Sequence, residues 1–393
     1  MNTPAGGPVE DWRAGGFGLY LHWPFCKAKC PYCDFNSHVA KTAVDHAAWA
    51  SALRREMAAM RALTGARRLD TIFFGGGTPS LMAPSTVEAL IRAADDLWGL
   101  APGAEVTMEA NPTSVEAANF AAYRTAGVNR VSVGVQALED RDLAALGRTH
   151  SVAEALAAIE VARGAFDRVS FDLIYARQHQ TPAAWAAELD RALALGPDHL
   201  SLYQLTIEPG TRFAELYDRG RLTVPPDTAA AEMYAATAEV TAAAGLPAYE
   251  VSNHARPGSE SRHNLVYWRY GDYAGVGPGA HGRLTLEDGS RIATVTEADP
   301  GAWLTRTLRD GAALVERDAV PSPAQADEMM LMGLRLAEGI DPARYAALAG
   351  HPLPATQIEM LLAEGLMTRR GHRLAATPAG RPVLNAILRA LLT

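Results

Sequence analysis

The sequence predicts an α/β protein with a mostly parallel sheet, and two patterns carry this prediction. Through the first 245 residues, six short runs rich in β-branched and aromatic residues alternate with long alanine-rich amphipathic stretches, which is typical of repeated βα units. The short runs are mostly continuously apolar, as in strands buried on both faces of a parallel sheet. Such units fit either a doubly wound sheet or an incomplete barrel, and in both the loops after the strands carry the chemistry.

The individual elements follow from these runs in chain order. The strands are predicted at residues 18–24, 71–78, 105–111, 130–136, 168–176 and 199–207. The helices are predicted at residues 45–63, 85–98, 114–125, 138–164, 182–195 and 227–244. Right-handed crossovers place a helix over each step of such a sheet. We therefore expect one α/β unit over residues 18–245, after an N-terminal tail of residues 1–17.

Beyond residue 245 the pattern changes. Residues 246–318 are rich in glycine and aromatic residues and contain a hairpin signal at Asp288-Gly289, which predicts an accessory lobe. From residue 319 the chain has a helical pattern, with helices predicted at residues 322–338, 341–349 and 355–365 and a last one ending at residue 392. With the basic stretch at residues 369–373, this predicts a small helical or winged-helix-like C-terminal domain over residues 319–393.

Composition excludes several classes of protein. Of 393 residues, 48% are hydrophobic and 20% are charged, and 44 acidic against 36 basic residues leave a formal charge of −8. This balance predicts a globular protein without a nucleic-acid partner. The sequence has no run of about 18 apolar residues that would span a bilayer, and acidic residues stand where a signal peptide needs an apolar core. We expect a cytoplasmic protein without a transmembrane segment.

All the cysteines of the chain, Cys26, Cys30 and Cys33, lie within eight residues after the first predicted strand. Three clustered thiols in a reducing compartment favour metal binding over a disulfide framework. Pro31 disfavours a helix that would merely bury them on one face. Two metal sites remain open at this point: a Cys₃His zinc site completed by His22 or His38, and an iron–sulfur cluster, which is bound by thiolates.

An iron–sulfur cubane held by three thiolates leaves one iron open for S-adenosylmethionine, to which the cluster can pass an electron. The motif Cys-x3-Cys-x2-Cys, with Tyr32 before its third cysteine, resembles the radical S-adenosylmethionine superfamily. The resemblance implies an incomplete parallel (β/α)6 barrel, a [4Fe–4S] cluster on Cys26, Cys30 and Cys33, and S-adenosylmethionine as cofactor. It also implies an electron donor such as a flavodoxin or ferredoxin.

The resemblance extends along the barrel to the oxygen-independent coproporphyrinogen III oxidase family, through the segments GGGTPS, EANP, GVQ and FDLIY. It implies that S-adenosylmethionine is bound by Tyr20, Tyr32, Gly76, Gly77, Thr78, Glu109, Gln136, Arg148 and Asp172. Singly, each residue has a structural alternative, such as a tight turn, a helix cap or an ion pair. Their joint position at strand ends beside the cysteine loop favours a site.

Two departures separate the chain from the oxidases of that family. After Cys33 this chain has Asp34-Phe35, whereas the oxidases have a pattern with a fourth cysteine two positions after the third. Only 25 residues precede Cys26, whereas the oxidases have a longer N-terminal extension. In addition, His263-Asn264-Leu265-Val266-Tyr267-Trp268 matches the H-N-x-x-Y-W pattern of the haem-chaperone branch of the family. This match implies that His263 binds haem. The structural alternative is a buried histidine with satisfied hydrogen bonds.

Three functions follow from these features. The favoured one is a haem chaperone that binds haem and transfers it to an unidentified haem-acceptor protein. The alternative enzyme is an oxygen-independent coproporphyrinogen III oxidase, which makes protoporphyrinogen IX by radical decarboxylation. The third is DNA binding through Arg369, Arg370 and Arg373, although three arginines in a negatively charged chain more often mark a solvated surface.

Overall fold

The computed structural model describes residues 12–392. Its strands are β1 (Phe17–Trp23), β2 (Phe25–Cys26), β3 (His38–Val39), β4 (Leu69–Gly76), β5 (Leu100–Ala110), β6 (Arg130–Gln136), β7 (Arg168–Tyr175), β8 (His199–Gln204), β9 (Asn253–Ala255), β10 (Asp272–Val276), β11 (His281–Thr285), β12 (Arg291–Thr296), β13 (Leu314–Ala319), β14 (Met367–Arg370) and β15 (Arg373–Ala376).

The helices connect and cover these strands. They are α1 (His46–Thr64), α2 (Pro84–Trp98), α3 (Ser114–Ala117), α4 (Phe120–Thr125), α5 (Asp140–Ala145), α6 (Val152–Ala165), α7 (Pro182–Ala194), α8 (Arg212–Asp218), α9 (Asp227–Ala243), α10 (Arg262–Trp268), α11 (Pro300–Asp310), α12 (Ser322–Gly333), α13 (Pro342–Ala349), α14 (Ala355–Ala363) and α15 (Leu384–Leu392). Within residues 12–392, no helix is both long and apolar enough to cross a membrane.

One large sheet organises the described chain, with strand order β13-β12-β11-β10-β1-β4-β5-β6-β7-β8-β9. The run from β1 to β8 is parallel and contains all the strands predicted from the apolar runs, which confirms the predicted α/β class. β10 adds a further parallel strand beside β1. Because β13 and β9 lie at opposite edges of the sheet, the sheet is open.

The hairpin predicted at Asp288-Gly289 is confirmed. β11 and β12 pair antiparallel across it, with Leu284 opposite Ile292, and β13 pairs with β12. These strands of the predicted accessory lobe extend the main sheet beyond β10. The lobe boundaries at residues 246 and 318 stay a prediction.

The described residues form one main hydrophobic core and two smaller clusters. The main core lies between the large sheet and its helices and contains the fully buried Trp23, Trp185 and Trp303. A separate cluster packs α12–α15 around the β14–β15 hairpin and reaches Tyr270. The C-terminal segment is therefore helical with one small hairpin, although the helix predicted at residues 322–338 ends earlier, at Gly333.

The basic stretch at residues 369–373 forms the turn of the β14–β15 hairpin, and its arginines make contacts within the chain. Arg369 pairs with Glu359 at 2.8 Å. Arg370 donates to the Ala337 carbonyl, and Arg373 lies 3.2 Å from the Glu338 carboxylate.

The helix predicted at residues 138–164 is wrong as a single element, because the structure has α5 and α6 separated by a loop. Gly147 in that loop has φ +69°, a left-handed conformation that a helix does not contain. Ser151 then starts α6 with a capping box to Glu154. The break places Arg148 at the carboxyl end of the parallel strands, where it contacts Cys30.

The predicted tail of residues 1–17 falls largely on residues 1–11, which lie outside the described residues. Trp12–Ala14 form a short 3₁₀ helix. The Trp12 ring packs edge-on against Phe17, with the Arg67 guanidinium 4.4 Å from its centre. This contact attaches the start of the described chain to β1.

Candidate functional site

A cavity of about 350 Å³ opens at the carboxyl ends of the parallel strands. Most of the site residues predicted from sequence line it: Cys26, Cys30, Tyr32, Cys33, Gly76, Gly77, Thr78, Glu109, Gln136, Arg148 and Asp172. Two predicted residues, Tyr20 and His263, are not among its lining. The fold therefore gathers side chains from distant parts of the sequence at the sheet edge where α/β proteins place their chemistry.

The cysteine loop is closed by the short pairing of β2 with β3, in which Cys26 lies opposite Val39. All three thiols are free and partly exposed. Each has a hydroxyl or guanidinium neighbour: Thr78 Oγ1 lies 3.4 Å from Cys26 Sγ, Arg148 Nη1 lies 3.3 Å from Cys30 Sγ, and Ser37 Oγ lies 3.5 Å from Cys33 Sγ. Groups that donate to sulfur stabilise thiolates, the form that binds iron, whereas burial raises the pKa of Cys26.

The arrangement does not suit the zinc site considered above. His22 directs one ring nitrogen at the Tyr20 hydroxyl and the other at the Asn36 carbonyl, and His38 Nε2 contacts Asn36 Oδ1. Within the part of the chain that the structure describes, no three Cys, His, Asp or Glu side chains converge on one metal ion. Ligands of a cubane bind separate irons and need no such convergence, so the three thiols fit a [4Fe–4S] cluster better.

The glycine loop after β4 packs directly against the cysteine loop. Gly77 donates its main-chain N–H to the Trp23 carbonyl at 2.7 Å, and Thr78 donates to the Phe25 carbonyl at 2.8 Å. Gly76 has φ +111°, which side chains rarely adopt. These contacts fix the glycine backbone beside Cys26.

Gly77→Ala should therefore distort the cysteine loop. An added Cβ would lie 2.7 Å from the Phe25 carbonyl oxygen, and such overpacking costs about 1–3 kcal/mol. We expect a lower free energy of unfolding in urea. Gly164→Ala is the matched control, because a Cβ there meets nothing within 4 Å and alanine favours a helix by about 0.5–1 kcal/mol. Equal stability of Gly77→Ala and the unmodified protein would contradict the tight packing.

Arg148 connects the cavity wall to the cysteine loop. Besides Cys30, its guanidinium donates to Asn111 Oδ1 at 2.6 Å and to the Gly134 carbonyl at 3.1 Å. Its Nε is buried without a partner, as is the Oε1 of Gln136, whose backbone has φ +71°. Buried polar atoms are normally satisfied, so this unpaired donor and acceptor in the cavity lining are suited to a polar ligand.

Glu109 and Asp172 are two of the carboxyl groups that line the cavity. Burial and the neighbouring Asp172 raise the pKa of Glu109 to about 8, although Glu109 accepts a hydrogen bond from the Gly76 N–H. Burial also raises the pKa of Asp172, which accepts hydrogen bonds from Ser132 and Ser201. A pair of desolvated acids is suited to bind a positively charged ligand, although the charges of Arg130 and Arg148 partly offset the rise in the pKa of Asp172.

Tyr20 lies beneath the cavity rather than in its lining. Its hydroxyl is 3.0 Å from His22 Nδ1, and its ring stacks on Phe73 at 6.2 Å. Burial, reinforced by the charge of Glu109, raises its pKa. Tyr20 therefore supports the cysteine loop through His22.

His263 lies in α10, at the opposite end of the parallel strands. Its Nδ1 is 2.7 Å from Thr71 Oγ1 and its Nε2 is 2.7 Å from the Tyr267 hydroxyl. The ring stacks on Phe73, and the residue is only 1% exposed. From Thr71 to Gly76, β4 extends by roughly 17 Å, so this histidine does not face the cavity. Iron could reach the ring only after these contacts open.

The buried position of His263 predicts a pH effect on folding. Burial, with the positive charge of Arg130, lowers its pKa to about 3. Below pH 6.5 the unfolded chain takes up a proton that the folded chain refuses, so the free energy of unfolding falls by up to ~1.4 kcal/mol per pH unit. Urea titrations from pH 7 to pH 4.5 should show a shallower slope for His263→Asn. His254 and His150, whose pKa values are also lowered, titrate in both proteins. Identical slopes would contradict this assignment.

Several cavity residues were not predicted as site residues. Asn111 bridges Arg148 and Thr78, with its Nδ2 3.0 Å from Thr78 Oγ1, and its place after β5 was the available signal. Phe35 and Tyr203 line the cavity with partly exposed rings. Ser37 contacts Cys33, and nothing in the sequence pattern distinguishes this serine.

Comparisons with known proteins agree with this geometry. Residues 20–192 match the model of the Radical SAM superfamily, and residues 320–383 match the HemN C-terminal domain. The chain is 37% identical to "Heme chaperone HemW" of Escherichia coli K12, over 95% of this chain and 97% of the relative. It is 38% identical to the mitochondrial "Radical S-adenosyl methionine domain-containing protein 1" of Bos taurus, over 95% and 87%.

The fold also resembles a solved structure, the coproporphyrinogen III oxidase HemN from Escherichia coli, with a TM-score of 0.79 and 21% identity, over 96% of this chain and 92% of that one. The protein is thus a radical S-adenosylmethionine protein with a HemN-like fold and C-terminal domain. Within that class, the chain belongs to the HemW family.

Proposed function

We propose that this protein is a haem chaperone, which binds haem and transfers it to an acceptor protein. It carries a [4Fe–4S] cluster on Cys26, Cys30 and Cys33, with S-adenosylmethionine at the open iron. The relatives named as heme chaperones support this function, since their similarity covers nearly the whole chain.

The cavity supports the cofactor part of the proposal. The three thiols have hydrogen-bond partners suited to thiolates, and Arg148 holds Cys30 from the side of the cavity. When bound, the cluster supplies one electron to S-adenosylmethionine. The chain's own contribution is to position the cofactor: Glu109 and Asp172 face its positive charge.

The observation that carries the choice between chaperone and oxidase is Phe35. It occupies the position at which the pattern of the oxidases has a further cysteine. Its ring is 59% exposed. This proposal uses all three cysteines of the chain as cluster ligands, so the loop has no additional thiol. An apolar ring in the cavity lining binds flat apolar surfaces but supplies no proton or electron.

Haem is held through the α10 segment in this proposal. His263 stays neutral at physiological pH because burial lowers its pKa to about 3, and neutral imidazole is the form that binds haem iron. Binding requires the Thr71 and Tyr267 contacts to break, so haem association should be slow and coupled to movement of α10. The acceptor is a separate haem protein, the reductant of the cluster is a flavodoxin or ferredoxin, and the site of action is the cytoplasm.

One assay with two substrates tests the proposal. Protein reconstituted with iron and sulfide under anaerobic conditions receives S-adenosylmethionine and reductant, and then either haem or coproporphyrinogen III. We expect stable haem binding by absorbance, transfer of haem to a haem-free globin used as acceptor, and no carbon dioxide release. Formation of protoporphyrinogen IX would overturn the proposal in favour of the oxidase.

His263→Ala is the matched variant for the haem site. Its expected result is at least tenfold weaker haem binding with unchanged cluster iron, because His263 lies at the opposite end of the strands from the cysteines. Unchanged haem affinity would assign haem binding to another residue.

A further inference from the structure

The lysines of this chain have an unusual distribution. The sequence contains 36 lysine and arginine residues, yet its lysines are only Lys27, Lys29 and Lys41. All of them lie around the cysteine loop. Residues 22–44 contain these three lysines and one acidic residue, Asp34, so they carry a charge of +2 in a chain of charge −8. The cluster loop is therefore a positive region on a negatively charged protein.

A second opening lies on this positive side of the loop. We call it the outer groove: a depression of about 320 Å³ lined by Cys26, Lys27, Val39, Val44 and neighbouring residues. Of the described residues, Cys26 alone lines both the outer groove and the cofactor cavity. One cluster ligand is thus accessible from two sides.

The outer groove combines exposed apolar and positive groups. Val39 pairs with Cys26 in the β2–β3 contact, and its side chain is 47% exposed. Lys27 lines the groove and is exposed. Lys41 does not line the groove, but it is exposed on the segment between the lining residues Ala40 and Val44. Lys29 is exposed too, but its Nζ donates to the Ser37 carbonyl at 3.1 Å, so it also supports the loop. Apolar contact area with a charged rim is the usual composition of a protein–protein interface.

We propose that the outer groove is the docking surface for a small acidic one-electron carrier protein, which reduces the cluster through Cys26. This inference rests on the proposed [4Fe–4S] cluster. One electron leaves the carrier's cofactor and enters the cluster, so the carrier is oxidised as the cluster is reduced, and no bond to the protein forms or breaks. Because the carrier approaches from outside the loop, S-adenosylmethionine and substrate can occupy the cavity at the same time.

The charge pattern selects this occupant. Complementary charge speeds association and weakens with salt, and the remaining 370 residues carry a charge of −10, which repels an acidic partner elsewhere. A basic nucleic-acid-binding protein would be repelled by the lysines, and two copies of this chain packed groove to groove would place lysines against lysines.

The test uses an acidic flavodoxin as probe. The dissociation constant of oxidised flavodoxin is measured by calorimetry, and cluster reduction by reduced flavodoxin is followed by absorbance. The double variant Lys27→Glu/Lys41→Glu should weaken binding at least tenfold and slow reduction by a similar factor, with both effects shrinking at high salt. Reduction by dithionite should not change, because this small reductant needs no docking surface.

Arg68→Glu is the matched control, since Arg68 is exposed just before β4, at the amino end of the parallel strands and away from the cysteine loop. It should bind flavodoxin like the unmodified protein. Equal binding by the double variant, or equal weakening by Arg68→Glu, would overturn the docking surface. Loss of dithionite reduction in the double variant would also overturn it, as damage to the cluster. Failure of the cluster itself would appear separately, as absent iron in the unmodified protein.

Discussion

Cys30→Ala should lose the iron–sulfur cluster completely. The unmodified protein, reconstituted anaerobically, is expected to hold about four irons and four sulfides per chain, and the variant close to none. In the proposed site Cys30 is one of three thiols that share the cubane, and it is the one that contacts the Arg148 guanidinium. Two thiolates leave half of the cubane without protein ligands. Iron and sulfide analysis with the visible absorption spectrum measures the effect.

Ser37→Ala is the matched control for this prediction. It removes the hydroxyl 3.5 Å from Cys33 Sγ but leaves all three sulfurs in place. The control should retain its iron. Full iron content in Cys30→Ala, or equal loss in Ser37→Ala, would show that the cysteines do not act as the cluster ligands.

Glu109→Gln should weaken S-adenosylmethionine binding at least tenfold at pH 8 and change how binding depends on pH. The pKa of Glu109 is raised to about 8, so at pH 7 its carboxyl is mostly protonated and must release a proton to face the cationic cofactor. Affinity should therefore rise with pH, by up to tenfold per unit, and level off above pH 8. Without the cofactor, the raised pKa of Glu109 lowers the free energy of unfolding as the pH rises from 4.5 to 8, because the ionised carboxylate is desolvated in the folded chain.

Equilibrium dialysis with labelled cofactor on cluster-loaded protein measures this dependence. The cofactor's own amino group titrates with every variant, so the difference between the unmodified protein and Glu109→Gln isolates the Glu109 carboxyl. Asp172→Asn is the companion variant: removing the negative neighbour should move the inflection to lower pH. Parallel pH curves for the unmodified protein and Glu109→Gln would contradict the role of Glu109.

The strands of the parallel sheet could be predicted because each is a short apolar run bounded by breakers, and burial on both faces leaves such runs in the sequence. The cavity was predictable for the same reason, since the carboxyl ends of parallel strands lie together at one end of the sheet. β10 was not predicted as a strand, because its pairing with β1 depends on residues more than 200 positions apart.

The break between α5 and α6 shows a different difficulty. Alanine-rich sequence on both sides of Gly147 favours one helix, and an isolated glycine costs a helix only about 1 kcal/mol. Tertiary contacts of Arg148 with Cys30 and Asn111 decide against it. Sequence similarity thus predicted Arg148 as a site residue, whereas local helix propensity alone would have placed it within a helix.

His263 was identified by its motif, but its surroundings were not predictable. The spacing of α10 indicates which residues share a face of the helix, not that this face packs beneath β1 and β4. The structure satisfies both ring nitrogens with hydroxyl groups, so haem binding by this residue stays a proposal that requires a conformational change.

The most direct test of the account is Mössbauer spectroscopy of protein reconstituted with ⁵⁷Fe, recorded before and after addition of S-adenosylmethionine. Three sulfur ligands and one open corner predict that a quarter of the iron signal shifts on addition of the cofactor while three quarters stay unchanged. Four equivalent irons that do not respond to S-adenosylmethionine would contradict the account, because the site would then have no open iron for the cofactor.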